Sequence, residues 1–501
     1  MKSKKRTLAL LLALSMLTVP ACSDNAADDT AADAAPTTSE VTDPAAEAET
    51  EKQLDAAEAL AAIPDTLPEK DMDGWQFRMT IFGTDLNRSQ TWADELTGNV
   101  VNDAVYQKIL NVEERFNVDV ALTEASFAEV DQVDALKQAI VAGDDSCELA
   151  QGHDVNMANA SLQAYFLNVY DLPHLDFEKP WWPESTLESM TVLGQMYMMF
   201  NNISYNNLAQ TRVVFFNKDL MNNMNIALPY NTVYEGNWTL DELKNISDSA
   251  YVDLNGDGTR DVGDQYGYAS MTYYYGCMEA FNVEPYCKDE NGNLYYNFDV
   301  EKNASLAEKY YNLLFGEGGF LNGESTNIFK DGRAMFLYET INTAVTTFSD
   351  SEVTYGILPM PKLDETQEHY YGGSTDRPIV VPITVQKDYL ENIGIVVEAL
   401  NAEGYKQVYP AFYEIAMKNR YADQTDDAKM LDIIHENVII SFTYLFGNYA
   451  SSYNKMFSDL FNAATPNTDV ASWDAKNSKP QKKYVERLQK FFTEQLEATN
   501  P

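Results

Sequence analysis

The chain has 501 residues, more than one hydrophobic core usually serves, and its 45% hydrophobic content is that of a soluble globular protein, so two lobes or domains are expected. With 77 acidic against 35 basic residues the formal net charge is -42, which argues against nucleic acid as a partner, because affinity for phosphate backbones rests on clustered Lys and Arg. Four cysteines in a chain of this length do not make a disulfide-built scaffold.

Lys4, Lys5 and Arg6 precede TLALLLALSMLTVPA, an apolar stretch too short to span a bilayer as a permanent helix, so residues 1–22 read as an export signal. The small and apolar residues before Cys22 resemble a bacterial lipobox, in which the cysteine is lipidated and becomes the mature N-terminus. Pro20 departs from the usual pattern, and the other reading is ordinary secretory cleavage with Cys22 incidental. No later stretch has about 20 consecutive apolar residues. A lipid on Cys22 is therefore the expected membrane link, holding the chain at the outer face of a bacterial cell membrane. Residues 23–68 consist largely of Ala, Asp, Glu, Thr and Pro, with too little apolar area to offset the entropy of ordering. A disordered acidic tether is expected there, although EKQLDAAEALAAI has the composition of a transient helix.

The folded body begins at GWQFRMTIFGTDLN, where Phe77, Met79 and Ile81 alternate with polar positions ahead of a Gly-Thr-Asp turn, the pattern of a strand ending in a polar loop. In NDAVYQKILNVEERFNVDVAL, Val105, Ile109, Val112 and Phe116 occupy one face of an amphipathic helix, and VDVAL follows as a second strand. Residues 131–141 repeat the helical pattern, and CELAQGHD repeats the strand running into a polar loop. This alternation predicts an α/β lobe with a mainly parallel sheet. Ligands of such sheets bind at the carboxyl ends of the strands. Asp85 and the group Gly152, His153 and Asp154 stand at two such ends.

Further along, Trp181 and Trp182 follow Pro180 in what reads as an anchored linking turn. In GNWTLDEL, Thr239 and Glu242 have the spacing of a capping box and Trp238 with Leu243 that of a hydrophobic staple, so Trp238 is read as structural. DLNGDGTRDVGD, residues 253–264, has the pattern of a twelve-residue calcium loop. Asp253, Asn255 and Asp257 take its first three ligand positions, Gly258 the tight turn, Thr259 a carbonyl position, and Asp261 and Asp264 the last two. Asp264 replaces the usual bidentate Glu, and Arg260 stands where an apolar residue usually links such a loop to a core. A structural Ca2+ is expected, with an unmetallated Asx-rich turn as the alternative; no paired second loop occurs, which argues against a sensor. YGILPMPK is an apolar strand stopped by prolines.

The order of FNVDV, LPHLDFEKPWWPES, VVFFNKDLMNN, EGNWTLDELKNI, FKDGRAMFL, YGILPMPKLDETQEHYY and MLDIIHENV resembles the extracellular solute-binding proteins of ABC importers, in particular the maltodextrin-binding-like sugar receptors. The resemblance covers residues from about 75 to about 490. It implies a two-lobed periplasmic-binding-protein-like α/β fold with crossing hinge strands and a ligand cleft between the lobes. Lobe 1 is expected from residues 75–206 with 376–415, and lobe 2, carrying the calcium-type loop, from 207–375 with 416–501. The implied function is capture of a carbohydrate, an oligosaccharide, by a monomer that hands it to the membrane permease subunits.

By position along the chain, the resemblance places a ligand-binding Asp at Asp154, beside His153, and a polar contact at Asp85. Where the family carries a stacking Trp after the GRAM strand, this chain has Tyr338 and Glu339, and that departure puts the same sugar in doubt. Phe442 and Tyr444 hold the comparable late aromatic position, and Tyr205 and Tyr274 lie in SYNN and YYYG. Aromatic faces stack on sugar C–H surfaces while polar groups bond the hydroxyls; the bland alternative for each tyrosine is ring packing. The four histidines, His153, His174, His369 and His435, show no metal-binding spacing, and no G-x-S-x-G, P-loop or nucleotide glycine fingerprint occurs. A non-enzyme is expected; a glycan-adhesion lipoprotein or a glycoside hydrolase built on two of the many carboxylates are the alternatives. Cys277 and Cys287 are spaced to bridge outside the membrane, while Cys147 reads as a buried thiol with other pairings open.

Overall fold

A computed structural model of the chain describes residues 58–123, 129–271, 277–349, 351–374, 377–417, 425–447, 455–462 and 465–499. The export signal, Cys22, most of the tether and Tyr274 lie outside the described residues.

The first sheet starts from the alternation of Phe77, Met79 and Ile81, which turn inward along Trp75–Ile81 (β1). β1 pairs in parallel with Val118–Thr123 (β2), Phe77 opposite Val120, and with Leu149–Gln151 (β3), Met79 opposite Leu149. The intervening helix Val100–Phe116 is capped by Asn99, whose side chain accepts from the N–H groups of Val101 and Asn102, and it ends at Asn117 in the left-handed region. It buries Val105, Ile109, Val112 and Phe116; helix Glu129–Ala142 buries Val133, Leu136 and Ile140. The parallel sheet is the one that the sequence pattern predicts.

The second sheet is built from Arg212–Asn217 (β4), Tyr266–Ser270 (β5), Gly319–Leu321 (β8), Ala334–Thr340 (β9) and Tyr355–Leu358 (β10), in the order β10-β4-β9-β5-β8. Tyr286–Lys288 (β6) and Leu294–Tyr296 (β7) form a separate hairpin. β5 runs parallel to β8 and β9, while β4 is antiparallel to β9 and β10. Both faces are covered: Val214 and Phe216 of β4 join one core cluster, Val213 and Phe215 another. This explains why VVFF reads as a continuous apolar run rather than an alternating one.

The chain then returns. Gly372–Gly373 (β11) pairs with Val438–Ile439 (β13), and Ile379–Val380 (β12) adds antiparallel to β3 of the first sheet. Helix Leu390–Glu403 packs Ile393, Val396, Val397 and Leu400 into the first sheet's core, passes through a π turn at Gly404–Val408, and continues as helix Tyr409–Met417, whose Phe412 belongs to the second sheet's core. The final helix, Val470–Thr499, is about 45 Å long and spans both regions: Val470 and Trp473 join the second core, Val485, Leu488 and Phe492 the first. Trp181, Trp182 and Trp238 are buried, as linking and stapling residues should be. Thr239 accepts the Glu242 N–H at 3.3 Å, and the Trp238 indole N–H donates to Pro359 O at 3.0 Å. Among the described residues no helix is long and apolar enough to cross a membrane.

Candidate ligand-binding site

A cavity of about 310 Å³ lies where elements of the two sheets meet. Leu86, Asn99, Val101 and Tyr205 line it from the first sheet's side, Asn342, Ala344, Val345, Thr346 and Ser349 from the second, and Phe412 from the helix that joins the two cores. None of these lining residues carries a charge.

Local structure explains each position. After β1 the chain turns at Gly83, φ 148°, where a Cβ would come within 2.9 Å of the Asn87 side chain, so only glycine lets the next helix fold back this closely. Thr84 caps helix Asp85–Ser89 in a capping box with Asn87, which leaves Asp85 exposed and Leu86 at the cavity. On the other side, β9 runs almost directly into helix Asn342–Thr346. There the Glu339 carboxylate accepts the Thr340 N–H at 2.9 Å and the Thr343 hydroxyl at 3.4 Å. Tyr205 stacks on Phe412, ring centroids 5.0 Å apart at 29°. Burial pushes the Tyr205 hydroxyl up to about 12, so it stays neutral at physiological pH. Two aromatic faces, two amides and two hydroxyls on an uncharged wall suit a neutral solute rich in C–H faces and hydroxyls.

Of the residues expected to bind ligand, Tyr205 lines the cavity, Asp85 adjoins Leu86, and Glu339 shapes the loop into the Asn342 helix. Tyr274 lies outside the described residues, and the remaining ones stand elsewhere. Tyr338 is 1% exposed inside β9, its ring 5.8 Å from the Arg212 guanidinium. Phe442 and Tyr444 sit in helix Phe442–Gly447 and pack into the first sheet's core, Phe442 against Phe446 at 4.4 Å. Asp154 is buried at the start of helix Asp154–Ser161, with Oδ1 3.0 Å from His153 Nδ1 and 2.6 Å from the Val155 N–H that it accepts. Sequence reading missed Asn99, Val101, Asn342, Thr346, Ser349 and Phe412. The small polar run NTAVTTFS directly after a strand was a usable signal; Phe412 comes from a distant helix and left none.

A second polar group lies beside the crossing segments. Glu279, on helix Cys277–Ala280, is 2% exposed, and burial, with Glu284 nearby, pushes its carboxyl up to about 8. Among the described residues Glu279 Oε2 and Glu284 Oε1 have no hydrogen-bond partner, and both carboxyls lie within reach of Ser441. A carboxyl so placed is held protonated at neutral pH.

The 253–264 loop is closed by its own donors. Asp253 accepts the N–H groups of Gly256 and Gly258, Asp257 that of Thr259, and Asp261 that of Gly263; buried Asp264 accepts those of Leu254 and Asp261. The Asn255 side chain donates to the Asp257 carboxylate and accepts the Asp257 N–H. Arg260 replaces the missing apolar anchor by donating to Gly316 O and Gly319 O, with its guanidinium over the rings of Tyr251 and Tyr266. Among the described residues no group of three or more His, Cys, Asp or Glu side chains converges as a metal centre. Cys287 is a free, half-buried thiol and Cys147 a buried one; the Cys277 side chain lies outside the described residues.

No family profile matches the chain, and no curated protein matches it. Solved structures do. The chain is similar to M. tuberculosis UspC, with 11% identity over 80% of this chain and 98% of that one and a TM-score of 0.53. It is similar to the GacH receptor of Streptomyces glaucescens, solved unliganded and with acarbose, with 12% identity over 82% and 99% and a TM-score of 0.53. A cyclo/maltodextrin-binding protein complexed with maltotetraose matches with 13% identity over 86% and 99% and a TM-score of 0.50. At these identities the likeness is one of fold, and the chain has the two-lobed α/β fold of the maltodextrin-binding-like solute-binding proteins.

Proposed function

We propose that the protein is the substrate-binding receptor of an ABC importer, anchored through lipid on Cys22 at the outer face of a bacterial cell membrane. It captures a neutral carbohydrate, an oligosaccharide, and delivers it unchanged to the membrane permease subunits. The observation that carries this reading is the uncharged, aromatic- and hydroxyl-bearing cavity shared by elements of both sheets. Tyr205 and Phe412 offer apolar faces to sugar C–H surfaces. Asn99, Asn342, Thr346 and Ser349 bond the hydroxyls, with Asp85 at the rim.

Two fold neighbours were solved with acarbose and with maltotetraose, which makes these the first members of a glycan panel read by calorimetry and thermal shift. Binding of at least one oligosaccharide, with no turnover, is expected. A response confined to peptides or sugar phosphates would overturn the carbohydrate assignment, and product formation would overturn the receptor assignment.

On residue spacing we also propose that the 253–264 loop takes a structural Ca2+ held by Asp253, Asn255, Asp257, Thr259, Asp261 and Asp264. Calcium should then raise the melting temperature relative to chelator. Asp257→Ala should abolish that rise while leaving glycan affinity intact; an equal response to calcium in both proteins would remove the site.

A further inference from the structure

We propose that Lys108 is a positioning residue of the cavity, its buried amine tying together the two segments that present Tyr205 to the ligand. The inference rests on the binding reading above. Lys108 occupies the buried stripe of helix Val100–Phe116 between Val105 and Val112, where an apolar residue belongs, and is 1% exposed. Its Nζ donates to Ile203 O at 2.5 Å and to Thr91 O at 3.2 Å. Those carbonyls belong to the segment following helix Asp85–Ser89 and to the crossing segment that leads out of the first sheet. The same two segments are joined a residue further on, where the Tyr205 N–H donates to Gln90 O at 3.1 Å, Ser204 Oγ reaches the same carbonyl at 3.4 Å, and the Asn206 side chain donates to Gln90 Oε1.

Burying an amine is costly, and burial alone pushes this one down to about 7, with no acidic side chain among the causes. Neighbouring charges are engaged elsewhere: Asp94 with Arg88 and the Trp92 indole, Asp103 with the N–H groups of Thr97 and Gly98, and Glu403 with Asn111 and Gln407. Lys108 therefore has backbone carbonyls for partners, and its geometric effect falls on the segment that sets the Tyr205 ring against Phe412 and the cavity. An apolar residue at this position would fill the space without joining the segments.

Two measurements on the full chain test this. Hydrogen exchange without ligand should show the Tyr205 amide exchanging at least tenfold faster in Lys108→Met than in the wild type, with the strands of both sheets unchanged. In a double-mutant cycle with maltotetraose and acarbose as probes, Lys108→Met should weaken binding about tenfold in the wild-type background and less than twofold in Tyr205→Ala. Unchanged exchange at Tyr205, or an equal loss of affinity in both backgrounds, overturns the proposal. Should the wild type bind neither glycan, the cycle is run with the member of the glycan panel that it does bind; if it binds none, the carbohydrate reading fails and the exchange result alone decides the role of Lys108. Lys108→Gln, which keeps a polar amide but is one atom shorter than lysine, replaces Lys108→Met in both measurements if the latter does not fold.

Discussion

Trp181 and Trp182 donate their indole N–H groups to the two oxygens of Glu398, at 2.7 and 2.9 Å, and all three side chains are buried. Burial outweighs these bonds and pushes the Glu398 carboxyl from 4.5 up to about 7. The folded protein therefore holds a proton that the unfolded chain releases above pH 4.5. The stability contributed by Glu398 is full below that pH and is lost as pH rises through 7, by about 3 kcal/mol. Glu398→Gln should flatten the stability profile between pH 4.5 and 7, read by denaturant unfolding, whatever constant offset it adds; a slope equal to the wild type's would mean that the carboxylate is already ionised. Residue roles in the cavity separate by a similar contrast. Tyr205→Ala and Phe412→Ala should weaken oligosaccharide binding roughly tenfold, about 1.4 kcal/mol, with Phe412→Ala also costing stability because its ring belongs to the second sheet's core. Phe442→Ala, in the first core, should instead cost about 3 to 5 kcal/mol of stability and leave affinity unchanged, and calorimetry that found the reverse would return Phe442 to the site.

The helix from Leu390 to Met417 links the cores through its π turn, and Gly404 opens that turn because the chain passes against it there. A Cβ at Gly404 would lie 1.8 Å from Asn202 O, a backbone atom that cannot swing away. On the preceding turn Asn401 Oδ1 accepts the Asn202 N–H at 2.8 Å. Gly404→Ala should therefore destabilise the protein by about 2 kcal/mol, lowering the denaturant midpoint at constant m-value; a neutral effect would show that the crossing segment can move aside. Elements of this kind mark where sequence reading stops. The β1, β2 and β3 strands and their two helices were legible because period-two and helical apolar spacings each have one physical reading. The Thr239 cap, the proline-stopped β10 strand and the tryptophan anchors were legible because their chemistry is local. Of the candidate cavity, Tyr205 was legible as an aromatic in SYNN, and Asp85, next to the lining Leu86, as the polar residue after β1. The π turn, Phe412 and Lys108 were not, because each acts through chain that is distant in sequence, and Lys108 occupies a position in the apolar stripe where a lysine is read as exposed.

At the scale of the whole molecule, a cavity walled by elements of both sheets makes a bound solute a bridge between the two cores, so occupancy is linked to folding. A solute at a hundredfold excess over its dissociation constant adds about 2.7 kcal/mol of stability. The charge of the chain gives this linkage a sharper test. With a net charge of -42, the surface field repels anions and attracts cations, and both effects weaken as salt shortens the screening length from about 10 Å at 0.1 M to about 3 Å at 1 M. The ten residues that line the cavity are uncharged, so a neutral oligosaccharide meets no charge at the wall and exchanges none with the field. Its affinity should change less than twofold between 0.05 and 0.5 M NaCl, values chosen to span roughly a threefold change in screening length. A cationic solute would bind more weakly, and an anionic one more tightly, as salt rises. Titration calorimetry at the two salt concentrations separates the three cases, and a strong salt dependence with maltotetraose would contradict an uncharged binding wall.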